Sequence, residues 1–219
     1  MPAGAGFSAA MNDRPSVPAV RHAPATARNR EPILAVIAPV LPARGLVLEI
    51  SSGTGEHAAF MAPRLPAGLV WQPTDLDPAH LADIDAHARE SGCDRIRAAV
   101  VLDATALRWP VPAADAILCC NMIHIAPWTA AEGLFAGAAR TVPAGAPLIL
   151  YGPFRRDGAH TAPSNAAFDE WLRARDPGWG VRCLDTAVTP LGLRHGFRRE
   201  AVVAMPANNL TVVFRRAAA

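Results

Sequence analysis

The stretch Leu46-Val47-Leu48-Glu49-Ile50-Ser51-Ser52-Gly53-Thr54-Gly55-Glu56-His57-Ala58-Ala59-Phe60 decides the fold. A short apolar run at 46–50 reads as a buried strand, 51–55 as a glycine turn, and the residues from Gly55 onward as a helix. Upstream, Asn29 is expected to cap a helix ending near Leu41, with Pro32 tolerated in its first turn and Ile33, Leu34, Ile37, Val40 and Leu41 on one side. Downstream the alternation continues. Residues 69–72 form a second strand ending near Asp75; Asp77 caps a helix with Pro78 at its first position, and Gly92 stops it. Residues 97–102 form a third strand ending at Asp103. The run 115–123, apolar on both faces, is a central parallel strand, followed by a helix at 128–142 and a fifth strand at 147–152. Ser164 is expected to cap a helix carrying Phe168, Trp171 and Leu172. Residues 181–195 read as a short helix interrupted by Pro190. Two last strands, 199–205 and 210–215, make a hairpin through Pro206–Asn209.

Strands alternating with helices and closed by a hairpin predict an α/β three-layer sandwich with a seven-stranded, mostly parallel sheet and an antiparallel last strand. Right-handed crossovers put the carboxyl ends of the parallel strands on one edge, with the ligand crevice there. The hairpin tip, with Asn208 and Asn209, emerges on the same side. Residues 1–27, rich in Ala and Pro, read as a flexible N-terminal arm and 28–219 as one domain. The arm lacks the charged start and apolar stretch of a secretory signal, so a cytoplasmic location is expected.

Composition removes several classes of function. With 51% hydrophobic and 18% charged residues the 219-residue chain can bury a core. A net charge of +2 gives no broad basic field for nucleic acid or an anionic membrane. All 21 basic residues are arginine, which excludes a P-loop and lysine Schiff-base chemistry. Cys93, Cys119, Cys120 and Cys183 form no CxxC pair, and the seven histidines show no HxxxH spacing, so no metal is expected from spacing.

Gly53-Thr54-Gly55-Glu56-His57-Ala58 satisfies GxGxxG/A, and Asp75 follows twenty residues after Gly55, a pattern shared by dinucleotide folds. Electrostatics separates the candidate ligands. A pyrophosphate needs bare amides, whereas Glu49 ends the strand and Glu56 opens the helix. S-adenosyl-L-methionine, with its cationic sulfonium and ammonium, suits such surroundings. The expected cofactor residues are Glu49, Ser51, Gly53 and Gly55 around the loop, Asp75 on the ribose hydroxyls, Asp103 with Ala104 on the adenine amino group, and Asn121 at the cofactor edge. Asp77 is the alternative to Asp75 for a longer second strand.

At these residues the chain resembles the methyltransferase-like proteins of domain-of-unknown-function family 938, which include the methyltransferase-like 26 group. The stretches LVLEISSGTGEHA, WQPTDLD, NMIHIAPW, YGPFRRDGAHTAPSNAAFDEWL and MPANNLTVVFR carry the resemblance, which runs from about Arg28 to Arg216. It implies a Rossmann-like class I S-adenosylmethionine-dependent methyltransferase. Region 181–198 departs from the family's usual helix.

Methyl transfer is an in-line displacement on an activated reagent, so the protein aligns the acceptor and removes a proton where needed. His124 after the fourth strand, Tyr151 ending the fifth, and Asp157 and His160 in the polar loop beyond are the expected catalytic residues. The charge balance favours a small-molecule acceptor. Arg155 and Arg156 are placed to clamp a carboxylate or phosphate, and Arg28 or Asn29 to meet the methionine carboxylate. A non-catalytic S-adenosylmethionine-binding partner protein and an NAD-dependent oxidoreductase are the alternatives.

Overall fold

The computed structural model describes residues 21–218. Its main sheet contains β1 (Arg44–Ile50), β2 (Gly68–Asp75), β3 (Val100–Val101), β4 (Ala116–Cys120), β5 (Pro147–Gly152), β8 (Phe197–Met205) and β9 (Asn209–Arg216). The spatial order is β3-β2-β1-β4-β5-β9-β8. β1 through β5 pair in parallel, and β9 runs antiparallel to both β5 and β8. A separate ribbon, β6 (Arg155–Arg156) with β7 (Ala159–His160), occupies the loop after β5. The helices are α1 (Pro24–Ile37), α2 (Glu56–Met61), α3 (Pro78–Glu90), α4 (Trp128–Thr141), α5 (Pro163–Arg175) and α6 (Thr189–Arg194).

Alternation along the strands fills both layers. On one face Val47, Leu118, Ile149 and Tyr151 pack with Ile33 and Ile37 of α1 and with Ala58, Phe60 and Met61 of α2. On the other, Leu48, Ile117, Leu148, Leu150, Val212 and Phe214 pack with Leu134, Phe135 and Ala138 of α4 and Leu191 of α6. Among the described residues, no helix is long and apolar enough to cross a membrane.

Several local expectations change. α1 starts at Pro24, not after Asn29, because Pro24 takes the favoured first position; Asn29 lies inside the helix, buried, and caps nothing. Residues 1–20 of the expected arm lie outside the described residues, and its last four form the first turn of α1. α5 is preceded by Ala162 at its N-cap; Ser164 lies one position past Pro163 and its hydroxyl accepts instead from Asn208 Nδ2 at 3.1 Å. Pro190 opens α6 rather than interrupting a helix, and a π-turn at Leu184–Val188 precedes it. The third strand contracts to two residues, with a single further bridge from Ile96 to Trp71. Asp77 does cap α3, accepting from Ala79 N at 2.9 Å.

Candidate cofactor and acceptor site

Parallel pairing brings the ends of β1 to β5 to one edge, and with them Ser51–Gly55, Asp75, Asp103, Asn121 and Gly152. The turn after β1 holds three left-handed residues, Ser51 (φ 60°), Gly53 (60°) and Gly55 (84°). β2 fixes this turn. Ser52 N donates to Thr74 O at 2.8 Å, Thr74 N to Ser52 Oγ at 3.1 Å, and Gly53 N to Asp75 Oδ2 at 2.8 Å. Ser52, rather than Ser51, supplies the side-chain tie.

The two glycines differ in role. Among the described residues, and its own chain neighbours aside, no atom lies within 4 Å of the place a Cβ would take at Gly53, so this backbone is open to a ligand. A Cβ at Gly55 would stand 2.6 Å from Ile84 Cα, so glycine here permits the close packing of α2 on α3.

Asp75 is buried at 5% exposure and accepts from Gly53 N, Asp77 N (3.0 Å) and His80 Nδ1 (3.0 Å). A carboxylate has about four acceptor sites, so one is left on Oδ2. His80 lies one turn into α3 and was not among the expected residues; its only sequence signal is its place five residues after a strand-end acid. Asp103 is exposed, with Oδ1 accepting from Thr105 N at 2.8 Å and Thr105 Oγ1 at 2.7 Å. Ala104 is buried. Asn121 adopts the left-handed conformation (φ 62°) and donates its N–H to Tyr151 O at 2.7 Å, tying the ends of β4 and β5.

The acids expected to line the pocket are turned elsewhere. Glu49 is 1% exposed beneath the loop, where Oε2 accepts from Trp71 Nε1 at 2.9 Å. Burial, opposed by the bonds from Trp71 and Ser52, pushes its carboxyl up from 4.5 to about 7. Glu56 reaches the segment before α1, with Oε2 accepting from Ala23 N at 2.7 Å and Thr54 Oγ1 at 2.9 Å. Neither is a free anion in the crevice.

A pH prediction follows for Glu49. The folded state holds this proton more tightly than the unfolded chain, so stability from this group falls as pH rises from 4.5 to about 7. The loss is on the order of 3 kcal/mol. Glu49→Gln keeps an acceptor for Trp71, and the variant is expected to gain on wild type between about pH 5 and pH 8 in urea melts; an unchanged gap at the two pH values would refute the assignment.

The four residues expected to carry chemistry are placed very differently. His124 is fully buried; Nδ1 accepts from Arg182 N at 3.2 Å, and the ring packs edge-on against Phe154 at 4.7 Å. Burial, followed by the Arg182 charge, lowers its pKa to about 3, so it does not take protons near neutrality. Asp157 is exposed at the tip of the β6–β7 ribbon, and its left-handed φ of 48° followed by Gly158 at 85° forms an Asp-Gly hairpin turn. Its N–H donates to Asp185 Oδ2 at 3.0 Å.

Tyr151 is buried, and burial raises its pKa, while Asn29 Oδ1 lies 2.9 Å from His57 Nε2. Asn29 thereby links α1 to α2. Burial lowers the His57 pKa to about 4 and leaves it neutral. His160 is partly exposed: Nε2 sits 3.3 Å from Asp169 Oδ2, while Nδ1 is buried and has no partner among the described residues. Asp169 also accepts from Val181 N and Arg173 Nε. Arg156 is engaged by Asp185 at 2.8 Å. Arg155 Nε is buried with no partner among the described residues.

The sheet order and the glycine turn define a Rossmann-like methyltransferase fold, and solved structures share it. An O-methyltransferase family protein from Burkholderia thailandensis superposes with a TM-score of 0.74 at 18% identity, over 89% of this chain and 58% of that one. The mitomycin 7-O-methyltransferase MmcR gives 0.74 at 17% identity, over 88% and 54%. CalO1, a methyltransferase of calicheamicin biosynthesis in its SAH-bound form, gives 0.68 at 20% identity, over 86% and 54%. The chain thus spans a little over half the length of these proteins. Residues 20–216 match the family described as protein of unknown function, DUF938, and the chain belongs to that family.

Proposed function

We propose that this protein is an S-adenosylmethionine-dependent methyltransferase acting on a small-molecule acceptor in the cytoplasm. The observation that carries the reading is the open backbone at Gly53, held against the buried Asp75 at the mouth of the β1–β2 crevice. The residues present fit the cofactor: a bare glycine turn, a strand-end carboxylate with acceptor capacity left, and an exposed acid after β3. In this reading Gly53 and Ser51 cradle the methionine end, Asp75 accepts from the ribose hydroxyls, Asp103 and Ala104 border the adenine, and Asn121 flanks the cofactor edge. When bound, the cofactor supplies an electrophilic methyl on its sulfonium.

The remaining work falls to the ends of β4 and β5. They position the acceptor, exclude water, and remove a proton if the attacking atom carries one. With His124 dry and Asp157 in a turn, His160 is the residue we assign to proton removal, oriented by Asp169 as a carboxylate orients a histidine base. The folds of O-methyltransferases are among those shared. The motifs NMIHIAPW and MPANNLTVVFR support a place near the methyltransferase-like 26 group within the family.

Calorimetry with S-adenosylmethionine, S-adenosylhomocysteine and NADH tests the reading. Binding of the first two at one site per chain is expected; NADH binding in their place, or no binding of either sulfur compound, overturns it. A screen of cell extract with labelled methyl donor, wild type against His160→Ala, then seeks the acceptor. The variant is expected to keep cofactor affinity and lose turnover.

A further inference from the structure

The segment preceding α1 crosses the start of α2 and one side of α3. Arg21 pairs with Asp83 and its Nη2 donates to Ala79 O at 3.0 Å. Here His22, Glu56 and His87, far apart in sequence, each present a donor atom, and none of the three atoms is more than 4.8 Å from another. His22 Nδ1 stands 3.1 Å from Glu56 Oε1, and the two imidazoles meet edge to face at 4.9 Å.

We infer that His22, Glu56 and His87 form a binding site for a zinc-type divalent transition ion. Two imidazoles and a carboxylate are the donor set such an ion takes, whereas calcium and magnesium select oxygen. Donor atoms of a tetrahedral zinc site lie about 3.4 Å apart, as follows from bonds of about 2.1 Å. The contraction required falls on His22, whose side chain is 69% exposed and free to turn, while those of Glu56 and His87 are held at 12% and 7%.

His87 carries a second, independent sign. Its Nε2 lies 2.9 Å from Arg21 O and, since a carbonyl accepts, Nε2 is the donor there and Nδ1 the nitrogen turned toward the cluster. A ligating histidine is commonly fixed in this way by a carbonyl behind it. Nδ1 faces Glu90 Oε2 at 3.7 Å, so a further carboxylate stands beside the cluster. The two arginines that share this groove are held aside, with Arg30 and Arg64 stacked on Phe60 at 4.4 and 3.9 Å. Binding of the ion would join the entry of α1 to α2 and α3.

The test uses tag-free full-length protein, stripped with chelator and titrated with Zn²⁺ by calorimetry, then with Co²⁺ followed in the visible region. One equivalent is expected, with cobalt absorption typical of a four- or five-coordinate nitrogen–oxygen site, and a rise in melting temperature on adding zinc. His22→Ala alters an exposed side chain and Glu56→Gln keeps its size. Each is expected to weaken zinc binding at least tenfold and to lose the zinc-induced rise, while His195→Ala behaves as wild type. Absence of zinc binding to wild type, or wild-type affinity in either His22→Ala or Glu56→Gln, overturns the inference. The readout needs no methyl-transfer activity.

Discussion

Gly53→Arg is expected to abolish S-adenosylmethionine binding, raising Kd at least about a hundredfold, or ~3 kcal/mol, while the protein stays folded. Among the described residues nothing beyond its chain neighbours lies within 4 Å of a Cβ at Gly53, so the new side chain has room at its root and is expected to fill the crevice. Its left-handed backbone costs about 1–2 kcal/mol, a few degrees in a chain of this size. Gly55→Ala is the informative counterpart. There the added methyl meets Ile84 backbone at 2.6 Å in a residue at φ 84°. The expected loss is about 2–5 kcal/mol of stability, the sum of overpacking and backbone strain. One glycine governs ligand, the other packing. Normal cofactor binding by a folded Gly53→Arg protein would place the ligand somewhere other than this crevice.

Asp75→Ala is the second large effect. Charge-assisted hydrogen bonds contribute about 1.5–3 kcal/mol each, so loss of the ribose contact is expected to raise Kd by about 10- to 100-fold. The same carboxylate also holds Gly53 N and the start of α3, which adds to the loss. Asp77→Ala separates the two contributions. It removes a helix cap worth about 1 kcal/mol of stability and leaves the crevice intact, so cofactor affinity is expected to hold. Equal affinities for Asp75→Ala and wild type, by calorimetry at matched buffer, would remove Asp75 from the ligand site.

The elements were legible in sequence where a local rule acts alone. Apolar runs bounded by turns located β1, β2, β4 and β5, the Asp77-Pro78 pair marked the start of α3, and topology alone placed the 206–209 turn at the crevice edge. Asn165 Nδ2 duly reaches Asn208 O at 2.9 Å across that edge. The start of α1 was obscured because Pro24 and Pro32 both carry a helix-start signal, and only the burial of Thr26 and Asn29 in the added turns goes with the earlier one. Side-chain orientation was the harder matter. Glu49 alternates onto the inner face of β1 and finds Trp71 there, a pairing 22 residues away in sequence. His124 and Asp157 have residue types suited to catalysis, yet one sits in a dry core and the other in a two-residue turn. No residue type carries that distinction; burial does. The same holds for His22, Glu56 and His87, which no spacing rule gathers.

One feature of the sheet bears on how the chain is made. β9 is the last of the strands in chain order but lies between β5 and β8, antiparallel to each. Until synthesis has passed Arg216, β5 presents a bare edge of Leu148 to Tyr151, and β8 has no neighbour. Nascent chains therefore hold an apolar ribbon unpaired throughout translation of the preceding residues, the period in which edge-to-edge association is most dangerous. Closure of the sheet is therefore a late, long-range event in folding.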